Sequence, residues 1–324
     1  MEAYQTETGR REDLEKALID VNPYLGAIGG RILPVNDVMA KTGTYYYQDL
    51  EADAAAQTGR VASAAPSEVV IGENSSTWSA AEVIKRYVWS RDSVKSMGGL
   101  DRCDNIAAKA ALRSVMRKHE TDVAAAVLAN ASASVDDIEA SFIQTAQKGL
   151  KAIHRYPGRK ALVMSYTVFH RVMRYTEIVN RFGLSAAAVG GADAINIVAR
   201  EPEALKMLLK SIIGVDEVLI GDDDIWYDGS AAYQDRAALV ALPDPEQFSE
   251  MADAAFGKTF RYLPDGQSYP FYIESHYDED DKTNKYDASI WYSLEVMNAG
   301  ALYILDGLDD SNTITTTTTT TTGA

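Results

Sequence analysis

Residues 252–264, ADAAFGKTFRYLP, place Ala252, Gly257, Lys258 and Thr259 at the spacing of a relaxed phosphate-binding loop. Such a loop works because it joins a buried strand to a helix N-terminus, so that backbone N–H groups and the helix dipole converge on phosphate. The flanks here run in the other order. PEQFSEMADAA upstream reads as helical or irregular, TFRYL downstream reads as a strand closed by Pro264, and Ala252 fills a position where glycine would let the backbone approach the phosphates. A nucleotide-dependent enzyme using Gly257, Lys258 and Thr259 is therefore kept only as an alternative, and Lys258 is expected at a surface or interface.

Other chemistry-bearing residues fall short of a site. The acidic run Asp278, Glu279, Asp280 and Asp281 carries Thr283 where a calcium loop needs glycine at its sixth position, so a solvated hairpin turn is expected. Asp222, Asp223 and Asp224 are consecutive and cannot all face one cation; a loop with an N-cap aspartate accounts for them. His119 and Glu120 open HETDV like a zinc-protease helix, but Val123 stands where the second histidine is required. His154, His170 and His276 are scattered among different elements, no serine lies in a G-x-S-x-G elbow, and Cys103 has no evident base. No catalytic residue, metal ligand or cofactor site is assigned.

Bulk properties narrow the partners. A formal charge of −16, from 31 basic and 47 acidic side chains, repels phosphate backbones and anionic lipid surfaces. The acidic N-terminus has no apolar h-region, and no run approaches the roughly 20 apolar residues of a spanning helix, so neither export nor membrane insertion is expected. The single cysteine rules out an internal disulfide and fits the reducing cytoplasm.

The elements that would have to position any site follow from pattern. Residues 1–35 form a polar arm with a short helix at 12–20. GTYYYQDL (43–50) is a tyrosine-rich strand, residues 67–90 are strand-like with turn residues inside, and the small polar stretch between them makes a long thin hairpin with a flexible tip. One long helix covers 104–128, and a second begins after Ser134 as N-cap. The middle third alternates: strand KALVMS, one helix YTVFHRVMRYTEIVNRF, strand AINIVA, helix PEALKMLLKSII, strand DEVLIG and strand AALVAL. Two aromatic, β-branched strands around the acidic turn and then ALYILDGL follow. The terminal TITTTTTTTTGA is expected to be a solvated tail.

The order of these parts resembles the HK97-like major capsid proteins of tailed bacteriophages. The resemblance is carried by ILPVNDVMAKTGTYYYQDL, AAKAALRSVMRKHETDVAAAVL, RKALVMSYTVFHRVM, IIGVDEVLIGDDDIWYDGS and the closing ALVALPDP, FGKTFRY and FYIESHYDEDDKTNKYDASIWYSLEVMNAGALYIL. No one stretch is diagnostic; their order along most of the chain is specific.

The resemblance implies an α+β HK97-like capsid fold with an N-terminal arm (1–41), an extended β-hairpin loop (42–92), a peripheral domain with a long spine helix and β-sheet (93–134 and 243–308), an axial α/β domain (135–242) and a threonine-rich C-terminal tail (309–324). It implies a structural subunit, not an enzyme, that assembles in the host cytoplasm through hexamers and pentamers into an icosahedral virion shell. That shell encloses double-stranded DNA without sequence-specific binding and without a membrane, and works with a portal, with or without a scaffolding or decoration protein. Tyr45, Tyr46, Tyr47, Arg60, Trp78 and Trp89 are interface candidates, and for the aromatic residues packing within the hairpin is an equal alternative. Arg60 is the only basic side chain at 51–66, so covalent cross-linking from a loop lysine is not expected; about 35 residues precede the loop, so scaffolding is expected to be a separate protein or absent. An encapsulin-like compartment, which shares the fold, and an adaptor or tail protein stay open beside the capsid reading.

Overall fold

The computed structural model describes residues 8–18, 27–48, 73–138, 141–181, 202–227, 234–243, 256–264 and 269–309. The first strands are β1 (Gly9–Arg10), β2 (Val35–Val38), β3 (Thr42–Gln48), β4 (Glu73–Ser79), β5 (Ala81–Ser90), β6 (Ser134–Asp137) and β7 (Arg159–Ser165). Then come β8 (Glu217–Gly221), β9 (Ala237–Leu242), β10 (Gly257–Tyr262), β11 (Tyr272–Asp278), β12 (Thr283–Val296) and β13 (Leu302–Asp306). The chain divides into two compact units, Met1–Ala126 with Pro245–Asn298, and Val127–Asp244 with Ala299–Ala324.

The first unit is organised by β12, whose 14 residues alternate in sidedness. Tyr286, Ala288, Ile290 and Tyr292 are buried in one direction, leaving Asp287, Ser289 and Trp291 on the opposite face, as the two-residue period of a strand requires. The sheet runs β1-β11-β12-β10-β2, with β5 also paired to β12. Trp291 and Tyr292 pair with Glu82 and Ala81 of β5 and at the same time with Tyr262 and Arg261 of β10, so these two strands flank β12 on opposite sides. The inner face packs against the long helix Leu100–Leu128 through Ala108, Ala111, Leu112 and Val115, spaced as one helical stripe, and against Leu14 and Leu18 of the short helix Glu12–Leu18.

Two expectations about protruding parts are corrected here. The described part of the arm, 8–18 and 27–38, is built into the unit: β1 pairs with β11, β2 pairs in parallel with β10, and the short helix closes the core. Buried charges fix it there. Glu15, fully buried, accepts from Arg10 at 2.9 Å and from the Ile273 backbone N–H at 2.9 Å, while Asp104 accepts from Arg11 at 2.8 Å and from the Tyr286 hydroxyl. Carboxylates are tolerated in such places only when paired and hydrogen-bonded. The expected hairpin over 42–92 is likewise shorter: β3 pairs with β4 alone, and after Ala80 the chain enters the main sheet as β5.

The second unit holds a mixed five-stranded sheet, β6-β13-β9-β7-β8. Its central strands β7 and β9 are buried almost throughout, which is why RKALVMS and AALVAL read as near-continuous apolar runs and do not alternate. The closing strand β13 lies here, between β6 and β9, and not in the first sheet as a peripheral boundary at 308 would have it. Ser134 opens β6 instead of capping a helix, because β13 takes up that backbone in parallel pairing. The helix Phe142–Ile153 starts later, capped by Ser141, whose hydroxyl accepts from the Gln144 N–H at 3.2 Å. The single helix expected over 166–182 is two, Tyr166–Val172 and Thr176–Arg181. Arg174 and Tyr175 donate to carbonyls three residues back, at 2.9 and 3.0 Å; this tightens the turn, and Tyr175 is buried. The expected strand AINIVA, the loop tip at 51–66 and the tail beyond 309 lie outside the described residues.

Candidate functional site

The outer face of the first sheet forms a groove of about 460 Å³ lined by Arg10, Lys41, Glu82, Tyr272, Glu274 and Trp291 among others. Strand alternation creates it: the face of β12 turned away from the long helix presents Asp287, Ser289 and Trp291, and β5 adds Glu82 and Ile84 beside them. Its floor is aromatic, with Trp291 set 6.5 Å from Tyr262 and 6.4 Å from Tyr272, centroid to centroid. Lys41 stands over two of these rings, its Nζ 5.8 Å from Tyr262 and 6.0 Å from Trp291, a cation–π arrangement. Arg10 lies over Tyr272 at 5.1 Å. Arg86 and Asp287 close one side as a bidentate pair, both bonds at 2.6 Å, and Ile84 and Val88 remain about half exposed along the edge strand.

Beside the sheet, the base of the β3–β4 hairpin rests on its own apolar cluster. Tyr45, Phe260 and Met297 are buried together, with Val38, Tyr47 and Trp78 packed around them. The Trp78 ring stacks on Phe260 at 4.7 Å and 13°, and Tyr45 lies 5.3 Å from Phe260. The Tyr45 hydroxyl donates to Glu295 at 3.3 Å, and burial raises its pKa. Tyr45 and Trp78 are thus engaged within their own unit. Tyr46 points the other way, at 55% exposure, as alternation along β3 demands. Trp89, half-buried on β5, meets Tyr87 edge-on at 5.4 Å, and its Nε1, like that of Trp78, is buried with no partner among the described residues. Arg60 lies outside the described residues.

The stretch that resembled a phosphate loop is a strand. Gly257 begins β10, paired antiparallel with Val296, and a Cβ there would strike the Glu295 carbonyl and Leu33. Its glycine serves close strand approach. Thr259 donates its N–H to Pro34 O at 2.9 Å and its hydroxyl to Leu33 O at 3.1 Å. Lys258, opposite Glu295, is 4% exposed within the subunit, which corrects the expectation of a surface or interface lysine. Ala252 lies outside the described residues.

The remaining candidates resolve into structure. Asp222 caps the turn of helix Asp223–Trp226, accepting from the Asp224 N–H at 3.2 Å, and Asp223 accepts from Thr167 N–H and hydroxyl at 2.7 and 2.8 Å. Asp278 accepts from the N–H groups of Asp280 and Asp281 and pairs with Lys285, closing the β11–β12 turn. Cys103 is fully buried, where desolvation raises its thiol pKa. No group of three metal-ligating side chains comes together among the described residues, and no described helix is long and apolar enough to cross a membrane.

Sequence reasoning missed the groove. Arg10, Lys41, Glu82, Tyr262, Tyr272 and Trp291 come from six separate segments, five of them strands that only the sheet order brings together. One signal was present: in YDASIWY the tryptophan falls on the polar phase of the alternation.

No family model matches the chain, and no curated protein matches it in sequence. Solved structures match its fold. A phage-related protein from Bordetella bronchiseptica RB50 is 16% identical, with a TM-score of 0.66 over 95% of this chain and 99% of that one. The capsid of the cyanophage P-SCSP1u is 8% identical, with a TM-score of 0.53 over 87% and 89%. The SrpI encapsulin of Synechococcus elongatus PCC 7942 is 13% identical, with a TM-score of 0.52 over 88% of each chain. The resemblance to HK97-like capsid proteins seen in the sequence is thus met in the structure: the chain has the α+β fold of phage capsid and encapsulin shell proteins.

Proposed function

We propose that this chain is the major capsid protein of a tailed bacteriophage, a structural subunit that assembles through hexamers and pentamers into an icosahedral shell around double-stranded DNA. The observation that carries the reading is the fold likeness along nearly the whole length of both chains, 95% and 99% for the phage-related protein and 87% and 89% for the cyanophage capsid. In this reading the first unit is the peripheral domain with its spine helix, the second is the axial domain, and β3 with β4 forms the outer hairpin. Tyr46, Trp89 and the groove over Trp291 are contact surfaces between copies, because aromatic side chains dominate interface energetics. Repeated heterologous contacts of this kind close into rings. The charge of −16 suits a wall to which packaged DNA need not adhere. A portal, with or without a scaffolding or decoration protein, completes the head, which forms in the host cytoplasm.

Purified protein examined by electron microscopy and light scattering should form capsomer rings or closed shells. A stable monomer that binds ATP, and loses it on Lys258→Ala, would restore the enzyme reading. The encapsulin-like alternative draws on the SrpI likeness, whose TM-score of 0.52 equals that of the cyanophage capsid to within 0.01. The contents of shells isolated from the native host separate the two: nuclease-resistant DNA supports the capsid, and an enclosed protein supports the compartment.

A further inference from the structure

The chain carries a formal charge of −16, yet the exposed face of the long helix Leu100–Leu128 is basic. Its buried stripe, with Ala108, Ala111, Leu112 and Val115, is taken up by the core under the sheet. Away from that stripe Arg102, Lys109, Arg113 and Arg117 are all exposed, and the helical repeat puts them within an arc of about 80°. They extend over about 22 Å of helix axis. The row ends where Glu120, on the same side, is covered by the segment whose Ile28 and Gly29 N–H groups it accepts, each at 2.9 Å.

The acidic groups around it are engaged. Asp104 accepts from Arg11 and from the Tyr286 hydroxyl, and Asp122 pairs with Lys118. On the neighbouring short helix Glu12 pairs with Arg10 and Asp13 with Arg11. Of the long helix's own acidic side chains only Asp101, in its first turn, is exposed.

The row does nothing for the helix itself. Lys109, Arg113 and Arg117 follow one another at i, i+4, where like charges repel. Such a placement suits an anionic partner outside the chain, and two features say which. None of the large apolar side chains exposed among the described residues lies on this helix, whereas protein–protein interfaces draw on apolar and aromatic anchors. The helix also has no Phe, Tyr or Trp on which the bases of a single strand could stack. A line of cations without either is what a duplex backbone requires, at one negative charge per about 1.7 Å of its axis.

We propose that this row contacts the phosphate backbone of double-stranded DNA without reading its sequence. The source of the duplex rests on the capsid reading: it is the DNA enclosed by the shell. The acidic remainder of the surface repels phosphate, so the contact is confined to one row per copy and is weak and salt-dependent.

Fluorescence anisotropy of a labelled duplex of about 30 base pairs, titrated with the full-length protein in subunit or ring form across a salt series starting near 50 mM, tests this. The logarithm of affinity should fall with the logarithm of salt at about −0.9 per contact, a slope of about −3 to −4 for the four cations. Replacing Arg102, Lys109, Arg113 and Arg117 together by Gln should weaken binding about tenfold or more, while the same change at the exposed Lys85, Lys151, Lys210 and Lys282 should stay within about threefold of wild type. If the combined variant does not fold, Lys109→Gln alone decides: the salt slope should shrink by about one, and an unchanged slope overturns the proposal. No binding by the wild type at low salt, or equal losses in the two combined variants, also overturns it. A wild type that ignores the duplex but captures polyglutamate overturns it in favour of an acidic protein partner. Electron microscopy of the same preparations separates the two readings. Shells whose subunits show no stripe-dependent binding fail this proposal alone, and a protein that binds the duplex through the row but never assembles fails the capsid reading alone.

Discussion

Trp78 lies flat on Phe260, the ring centroids 4.7 Å apart and the planes within 13° of parallel. This stack fastens the outer hairpin to β10. Phe260→Ala empties the centre of the cluster with Tyr45 and Met297 and should cost about 3–5 kcal/mol, the range for a buried phenylalanine. Urea denaturation checks the loss, and amide exchange should show β3 and β4 deprotected before the rest of the unit.

Gly43 faces Trp78 directly across the hairpin, and the indole covers it so closely that a Cβ would lie 2.1 Å from its Cη2. Gly43→Ala should therefore push Trp78 off Phe260 at a cost of about 1–3 kcal/mol, as overpacking does. A red shift of tryptophan emission, compared with Phe260→Ala, reports whether the stack is what breaks.

Glu120→Ala removes the acceptor of two buried N–H groups, at Ile28 and Gly29. Leaving them unsatisfied should cost roughly 2–4 kcal/mol. The denaturation midpoint gives the size, and fast exchange confined to residues 28–29 and their neighbours gives the place.

Asp136 in the second unit is held by Lys148 and by the Tyr303 hydroxyl, and both depress its pKa below the ordinary 3.8. A depressed carboxylate contributes stability that is present above its unfolded value and lost as pH falls through the folded one. Acid destabilisation of this kind should appear below about pH 4 and be reduced in Asp136→Asn, read as urea midpoints from about pH 5 to 2.5.

Trp291→Ala opens the floor of the groove without touching the inner core of Tyr286, Ala288, Ile290 and Tyr292. If copies meet over this groove, light scattering should show assembly weakened by about tenfold or more, an interface hot spot, while circular dichroism of the subunit is unchanged. Assembly at wild-type concentration would remove the groove from the contact surface.

Much of this was legible in the residues. The long helix follows from periodic apolar positions that include Ala107, Val115 and Val123, the buried strands β7 and β9 from unbroken apolar runs, and the Asp222 cap from an aspartate at the end of EVLIG. The first turn of the helix at 142 is legible too, since Ser141 and Gln144 have the spacing of a capping box; Ser134 competes with it because it also precedes an apolar stretch. These are local features, set by the period of each element and by the side chains at its ends.

What pairs with what was decided only by the tertiary structure. Residues 81–90 and 302–306 are equally good strands by composition, yet one leaves the expected hairpin for the first sheet and the other leaves the first sheet for the second. Propensity says that a segment is extended; the partner is set by which exposed edge and which apolar face can accept it, and those belong to residues far along the chain. The same holds for Lys258, whose burial comes from strands brought across the chain, and for the groove, whose lining comes from five strands of one sheet with Lys41 beside them.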